Sequence, residues 1–237
     1  MKKAVFLLGA GASLEFGAPS TRALTEAIEP RIAADSWLTH LGADRAYQVD
    51  YFREPPNLEH IYHCAHELIY HHEPTPGAVQ EYLPLLFPFV EWRDAGSAPS
   101  ERCLRGLSTG ITVAIYDIIS EVCGSSRPDL GPLRRLIDKF RRKHVTRIYT
   151  TNYDDFVHQA CPELYTGFGE AEESEGRRFD FDGFWSKDCE HSLFHLHGSV
   201  HMGFHHGDPD KAEIGELFWF DDLEQARIRS KYNGSGE

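Results

Sequence analysis

Three short apolar runs along the chain end in glycine or polar residues, and this pattern predicts three buried strands. The first run, Ala4 to Leu8, leads directly into a glycine-rich segment that begins at Gly9, which is typical of a strand followed by a loop and a helix. The other runs lie within Val145 to Phe156 and Leu193 to Val200. Because open α/β sheets bind ligands at the carboxyl ends of their strands, three such ends predict a single crevice.

Between the first two runs, apolar residues recur at helical spacing. Thr21 to Ile32 is predicted to continue the first helix, and further helices are predicted over residues 57–72 and from Cys103 to Val122. A basic helix is predicted to end just before the Val145 strand. These patterns predict an α/β protein in which residues 33–127 form a helical insertion beside the sheet.

The first glycine segment indicates a nucleotide ligand. Gly9 and Gly11 carry no Cβ, so backbone N–H groups there can approach a pyrophosphate. Leu14 stands where a dehydrogenase fingerprint would place its third glycine, and no Lys-Ser or Lys-Thr pair follows as in a P-loop. Neither of those two nucleotide folds is therefore favoured.

Three ordered motifs resemble those of the sirtuin-like (silent information regulator) superfamily. They comprise the Gly9 segment with Gly17 to Pro19, then Thr151 to Asp154, and then Leu196 to Ser199. The resemblance implies a Rossmann-like parallel sheet that binds NAD, with His197 as the catalytic histidine. The NAD-binding residues it implies are Gly9, Ala10, Gly11, Ala12, Ser13, Gly17, Pro19, Thr21, Thr151, Asp154, Gly198 and Ser199.

The chain departs from the deacylase members of this family in two ways. Ser20, Thr21 and Arg22 stand where deacylases carry Asp-Phe-Arg, and the cysteines are isolated, so a zinc ribbon has no ligands. The sequence is similar to the zinc-free bacterial branch, whose members hydrolyse NAD and often serve anti-phage defence. The resemblance thus implies an NAD hydrolase that releases nicotinamide and ADP-ribose, with NAD as substrate and no metal.

Two residues suit the chemistry of that reaction. His197 can act as a base near neutral pH, and the amide of Asn152 can both donate and accept hydrogen bonds to water or ribose hydroxyls. Asp154 is expected to orient Asn152 or to stabilise developing positive charge. Thr151 and Ser199 are expected to contact ribose or phosphate.

Charge and composition narrow the remaining classes. The net charge of −13 disfavours direct nucleic-acid binding, and no uninterrupted apolar run approaches the roughly 20 residues of a membrane span. Five isolated cysteines favour a reducing, cytoplasmic location. Residues 169–190 are acidic and poor in branched aliphatic residues, so they are predicted to form a flexible surface loop or a lid over the crevice.

Other functions stay open at this stage: a zinc-free deacylase, a noncatalytic NAD or ADP-ribose sensor, and a metal-dependent hydrolase. The last would use a histidine patch of His195, His197, His201, His205 and His206. After His197, one short strand or packed turn at Glu216 to Phe220 and one charged helix are predicted. Because so few elements follow, we expect a longer protein or a homo-oligomer. Since a free NAD hydrolase would be toxic to its own cell, we also expect a partner protein or further domain that gates activity.

Overall fold

The computed structural model describes residues 2–32, 57–59, 62, 101–125, 128–172, 176–187, 190–205 and 216–230. The chain divides into two compact units, one of Met1–Ser20 with Tyr116–Glu237 and one of Thr21–Ile115. Most of the predicted insertion over 33–127 and most of the predicted helix over 57–72 lie outside the described residues, as does His206. The insertion therefore stays a prediction.

The described helices and strands follow one another in a mixed α/β order. The strands are β1 (Lys2–Leu8), β2 (His144–Thr150), β3 (Phe168–Glu172), β4 (Gly176–Phe179), β5 (Ser192–His195), β6 (Met202–His205) and β7 (Glu216–Trp219). The α-helices are α1 (Thr21–Ile32), α2 (Glu101–Ser125), α3 (Gly131–Arg141), α4 (Phe156–Ala160), α5 (Phe181–Ser186) and α6 (Leu223–Ser230).

The three predicted strands form one parallel sheet of three strands in the order β1-β2-β5. In the register of this sheet, Leu8 pairs with Thr150, and Thr150 pairs with His195. The carboxyl ends of all three strands are therefore level with one another. The prediction of an α/β protein with a parallel sheet is confirmed at this coarse level.

One face of the parallel sheet carries the core of the first unit. Ile148 of β2 and Leu193 of β5 are buried there against Ile137 of α3 and Val157 of α4, and Phe6 and Leu8 of β1 pack against the same cluster. Since side chains alternate along a strand, the residues between them point the other way. The sheet is thus covered on this face by the two helices that flank β2 in sequence.

Aromatic residues build a second, antiparallel sheet of four strands in the order β3-β4-β7-β6. The side chain of Trp219 on β7 is fully buried, and Phe168 on β3 packs edge-to-face on Phe179 of β4. The predicted strand at Glu216 to Phe220 is confirmed as β7, and the predicted charged helix is confirmed as α6.

This second sheet shows that the predicted surface loop over 169–190 is wrong. The segment contains most of β3, all of β4 and the short helix α5. Its apolar surface comes from Phe179, Phe184 and neighbouring aromatic rings rather than from the branched aliphatic residues whose scarcity suggested a loop.

The segment after β1 also differs from the prediction. Two 3₁₀ turns, Ala10–Ala12 and Leu14–Phe16, follow Gly9 in place of the start of an α-helix. Gly17 ends the second turn with φ +96°, a left-handed conformation that favours glycine. The α-helix begins only at Thr21, so the dipole of a long helix is not at the glycine segment.

Several apolar side chains of the second unit are buried. Leu24 and Ile28 of α1 are buried, and the Thr25 hydroxyl accepts a hydrogen bond of 2.9 Å from the backbone N–H of Leu58. In the part of α2 that belongs to this unit, Leu107 and Ile111 are buried.

Helix α2 is longer and more apolar than the sequence pattern suggested. Its stretch Arg105–Gly124 has the length and hydropathy of a membrane span, and one third of that stretch is buried. The core helix of a soluble protein can have the same length and composition.

Candidate functional site

Asn152 joins the end of β2 to the loop that follows β1. Its side-chain Nδ2 donates hydrogen bonds to the backbone oxygen of Gly9 at 3.0 Å and to the hydroxyl oxygen of Ser13 at 2.8 Å. The Thr151 backbone N–H donates to the oxygen of Leu8 at 3.0 Å beside it. A carbonyl oxygen only accepts, so the bond to Gly9 fixes which side-chain atom of Asn152 is the nitrogen.

Asp154 belongs to the same hydrogen-bonded group through Ser13. Both side chains are buried, and the Ser13 hydroxyl bonds to the Asp154 carboxyl. Burial raises the pKa of this carboxyl above its ordinary value, although the bonds from Ser13 and from the backbone N–H of Phe156 oppose the change. Asp154 therefore supports Asn152 indirectly, because Ser13 accepts from the amide and donates to the carboxylate.

The end of β5 meets the end of β2 at His195. Its ring Nδ1 lies 3.1 Å from the backbone oxygen of Asn152, and the backbone N–H of Leu196 donates to the Thr150 oxygen at 2.8 Å. Burial lowers the pKa of the His195 imidazole to about 4, so the ring is neutral near pH 7. The hydrogen bond at Nδ1 fixes the orientation of the ring against the backbone of Asn152.

His197 lies on the exposed loop that follows β5. Its imidazole makes no hydrogen bond or ion pair to any residue that the structure describes. The next residue, Gly198, has φ +93°, which a side chain rarely adopts. Ser199 is buried, and its hydroxyl accepts from the backbone N–H of His201 at 3.4 Å, so it faces the protein.

No protein-family model and no curated protein matches this chain.

Three of the other predicted binding residues lie in the exposed segment that follows β1. Gly9, Gly11 and Ala12 are exposed, and a Cβ placed on Gly11 would meet no heavy atom within 4 Å. A Cβ on Gly9 would come to 3.9 Å from the Thr151 hydroxyl. The backbone there is open to a ligand from outside.

The remaining predicted residues fall into two groups. Ala10, Gly17 and Pro19 lie on or after the 3₁₀ turns of the first unit. Thr21 begins α1 of the second unit, where its backbone oxygen accepts from the Thr25 hydroxyl at 2.7 Å.

A buried group of polar residues behind these strand ends was missed by the sequence analysis. The Asp155 carboxylate accepts from His201 Nε2 at 3.0 Å and from Gln159 Nε2 at 2.7 Å. His201 stacks on Trp219, with ring centroids 4.6 Å apart, and His158 contacts both rings. Two features of the sequence could have indicated this group: Asp155 directly follows Asp154, and His201 lies four residues after His197.

The described residues contain one group whose ligand atoms are close enough for a metal. Asp138, Cys161 and Glu163 place one such atom each within 4.8 Å of one another. Glu163 forms ion pairs with Arg134 and Arg141, and burial raises the pKa of the Cys161 thiol, which disfavours the thiolate that a metal would need. The three side chains therefore belong to an ion-pair network rather than to a metal site. Arg134 and Arg141, two cations of the predicted basic helix, are part of the same network.

The arrangement leaves one acceptor atom of Asn152 without a partner among the described residues. Both Nδ2 hydrogens of Asn152 are used by Gly9 and Ser13, whereas its Oδ1 accepts from no residue that the structure describes. The site thus combines an exposed glycine loop, a fixed amide oxygen and an exposed imidazole on a neighbouring loop.

Proposed function

We propose that the chain is an NAD hydrolase with a Rossmann-like, sirtuin-like nucleotide site. The observation that carries the proposal is the tie between Asn152 and the Gly9 loop across the level ends of β1 and β2. This tie joins two motifs that are separated in sequence at the edge where parallel sheets bind ligands. The absence of a zinc ribbon in the sequence supports the hydrolase branch over the deacylases.

The backbone of the Gly9 loop would receive the pyrophosphate. Gly11 is exposed and has open space where a Cβ would lie, so phosphate oxygens can approach the main chain there. The short 3₁₀ turns supply backbone N–H groups without the macrodipole of a long helix. Recognition would therefore depend on hydrogen bonds and on close approach rather than on a helix dipole.

Asn152 would act on the ribose as a hydrogen-bond acceptor. Its two N–H groups are already engaged, so only Oδ1 remains to accept from a ribose hydroxyl or a water molecule. An acceptor near the ribose would also favour the positive charge that develops as nicotinamide leaves. The leaving group is a cationic pyridinium, so no strong general acid is needed.

His197 would act as the base that removes a proton from water or from a ribose hydroxyl. Its exposure leaves both ring nitrogens accessible to a water molecule or a ribose hydroxyl, and an imidazole nitrogen can accept a proton from either. The products would be nicotinamide and ADP-ribose.

We further propose that the protein acts in the cytoplasm as a homo-oligomer in anti-phage defence. Its activity would be gated by a partner or a further domain, because uncontrolled loss of NAD would harm the cell.

Nicotinamide release from NAD tests the proposal and separates it from its alternatives. The expected result is equimolar nicotinamide and ADP-ribose, unchanged by a chelator. Formation of O-acyl-ADP-ribose from an acylated peptide would instead show a deacylase, and loss of turnover with chelator would show a metal-dependent hydrolase. Binding of NAD without turnover, both alone and with the rest of the natural assembly, would show a sensor.

A further inference from the structure

Two histidines flank the loop that carries His197, and each bonds to the loop that carries Asn152. His195 precedes the loop, and its Nδ1 meets the Asn152 backbone oxygen at 3.1 Å. His201 follows the loop, and its Nε2 meets the Asp155 carboxylate at 3.0 Å. The two connections lie on either side of His197 in the chain.

The proton positions on His195 follow from its partner. The Asn152 carbonyl oxygen can only accept, so His195 Nδ1 carries the hydrogen. The other nitrogen, Nε2, is then a lone-pair acceptor, and it is buried without a hydrogen-bond partner among the described residues. The whole polar function of this ring is therefore its bond to the backbone of Asn152.

The proton positions on His201 follow in the same way. Nδ1 lies 2.7 Å from the Phe220 backbone oxygen, and Nε2 lies against the Asp155 carboxylate, so both nitrogens face acceptors. The pKa of the Asp155 carboxyl lies below its usual range. Burial alone would raise this pKa, but the hydrogen bonds from His201, Cys123 and Gln159 have the larger effect. Both ring nitrogens of His201 are thus engaged by the protein, one by the Phe220 backbone oxygen and one by the buried Asp155 carboxyl.

Backbone and side-chain bonds fix the rest of the loop. The backbone N–H of Val200 donates to the Tyr153 oxygen at 3.0 Å, and the Tyr116 hydroxyl donates to the Ser199 oxygen at 3.1 Å. Within these limits Gly198 makes the left-handed turn, with φ +93°, next to the exposed His197. The loop is held at both ends, while the side chains of Leu196 and His197 are exposed.

We infer that His195 and His201 are positioning residues that fix the His197 loop against the Asn152 loop. We assign neither as a catalytic residue: His195 bonds to the Asn152 backbone through Nδ1 and its Nε2 is buried, and both ring nitrogens of His201 bond to the protein. The inference rests on the proposed function, since it assigns the pair a role in NAD cleavage. A shift of about 1 Å between two reacting groups can cost about a hundredfold in rate, so the two bonds are expected to matter for turnover.

Asparagine and glutamine substitutions at each position separate positioning from packing. An asparagine amide nitrogen reaches the place of a histidine Nδ1, and a glutamine amide nitrogen reaches the place of Nε2. His195→Asn keeps the donor to Asn152, and His195→Gln removes it. At His201 the order reverses, because His201→Gln keeps the donor to Asp155 and His201→Asn removes it.

The readout is kcat and KM for nicotinamide release, with a thermal melt to show that each variant is folded. We expect His195→Asn and His201→Gln to stay within about threefold of wild-type kcat, and His195→Gln and His201→Asn to lose about tenfold or more with little change in KM. If the two histidines only filled space, the more active amide would not change from asparagine at position 195 to glutamine at position 201. If one pair fails to fold, the order within the other pair decides.

The outcomes also separate this inference from the function on which it rests. An active wild type with equal kcat for asparagine and glutamine at both positions overturns the inference and leaves the proposed function intact. A wild-type protein that neither binds nor cleaves NAD overturns both.

Discussion

Asn152 donates a hydrogen bond of 2.8 Å to Ser13, a residue 139 positions earlier in the chain. Ser13 in turn bonds to the buried Asp154 carboxyl. One hydroxyl therefore joins the loop after β1 to both polar residues of the Thr151 to Asp154 motif. The geometry of the candidate site depends on this junction.

His197→Ala is expected to abolish nicotinamide release without loss of stability. The side chain is exposed and makes no hydrogen bond to a described residue, so its removal leaves the fold unchanged. Loss of a positioned base typically costs about a hundredfold or more in rate. Turnover and the midpoint of thermal unfolding are measured on the same preparations. The control is Gln225→Ala, which removes another exposed polar side chain. Near-wild-type turnover would show that His197 is not the base.

Asn152→Ala is expected to lose both turnover and stability. The substitution leaves the Gly9 oxygen and the Ser13 hydroxyl without their donor, which costs roughly 1–3 kcal/mol in the free energy of unfolding. Denaturant unfolding measures that cost, and nicotinamide release at a temperature where the variant is folded measures the loss of rate. Unchanged stability would contradict the hydrogen bonds, and unchanged rate would contradict the role of Oδ1.

Asp154→Asn is expected to stabilise the protein more at neutral pH than in acid. Burial raises the folded-state pKa of this carboxyl, so its contribution to stability is present below the unfolded-state pKa, about 3.9, and is lost as the pH rises through the folded-state pKa. Asparagine carries no such charge. Unfolding is measured between about pH 4 and pH 7, with the exposed Asp182→Asn as control. A difference from wild type that does not grow with pH would contradict the buried carboxylate.

The purified protein is expected to contain no stoichiometric zinc and to keep its activity with a chelator. Glu163 is engaged by two arginines, and the buried Cys161 favours the thiol form, so the one close group of potential ligands is a poor metal site. Elemental analysis measures the metal content. About one zinc per chain, lost together with activity, would contradict the prediction and would favour the histidines as zinc ligands.

The sequence predicted the parts of the fold that depend on local patterns. The parallel strands at Ala4, Val145 and Leu193 and the helix before β2 follow from apolar runs and helical spacing. The antiparallel sheet was missed, because Phe168, Phe179 and Trp219 give its core without a run of branched aliphatic residues. The α-helix expected after Gly9 was replaced by 3₁₀ turns that end at the left-handed Gly17.

The sequence predicted which residues form the candidate site, but it did not predict the hydrogen bonds between them. Gly9, Asn152 and Asp154 were recognised from their places after strands. Whether Asn152 donates to Gly9, or whether His195 bonds to Asn152, depends on the register of strands that are far apart in sequence. Local pattern contains no information on that register. The Asp155–His201 pair was missed for the same reason.

The most direct test of the nucleotide site is a calorimetric titration with ADP-ribose, the proposed product, which is not consumed during the measurement. Three proteins are compared: wild type, Gly11→Leu and Gly124→Leu, since both glycines have open space around a Cβ and only Gly11 lies in the proposed site. The account predicts one site per chain for wild type and Gly124→Leu, with affinity at least about tenfold weaker for a folded Gly11→Leu. No binding by wild type, or equal binding by Gly11→Leu, would contradict it.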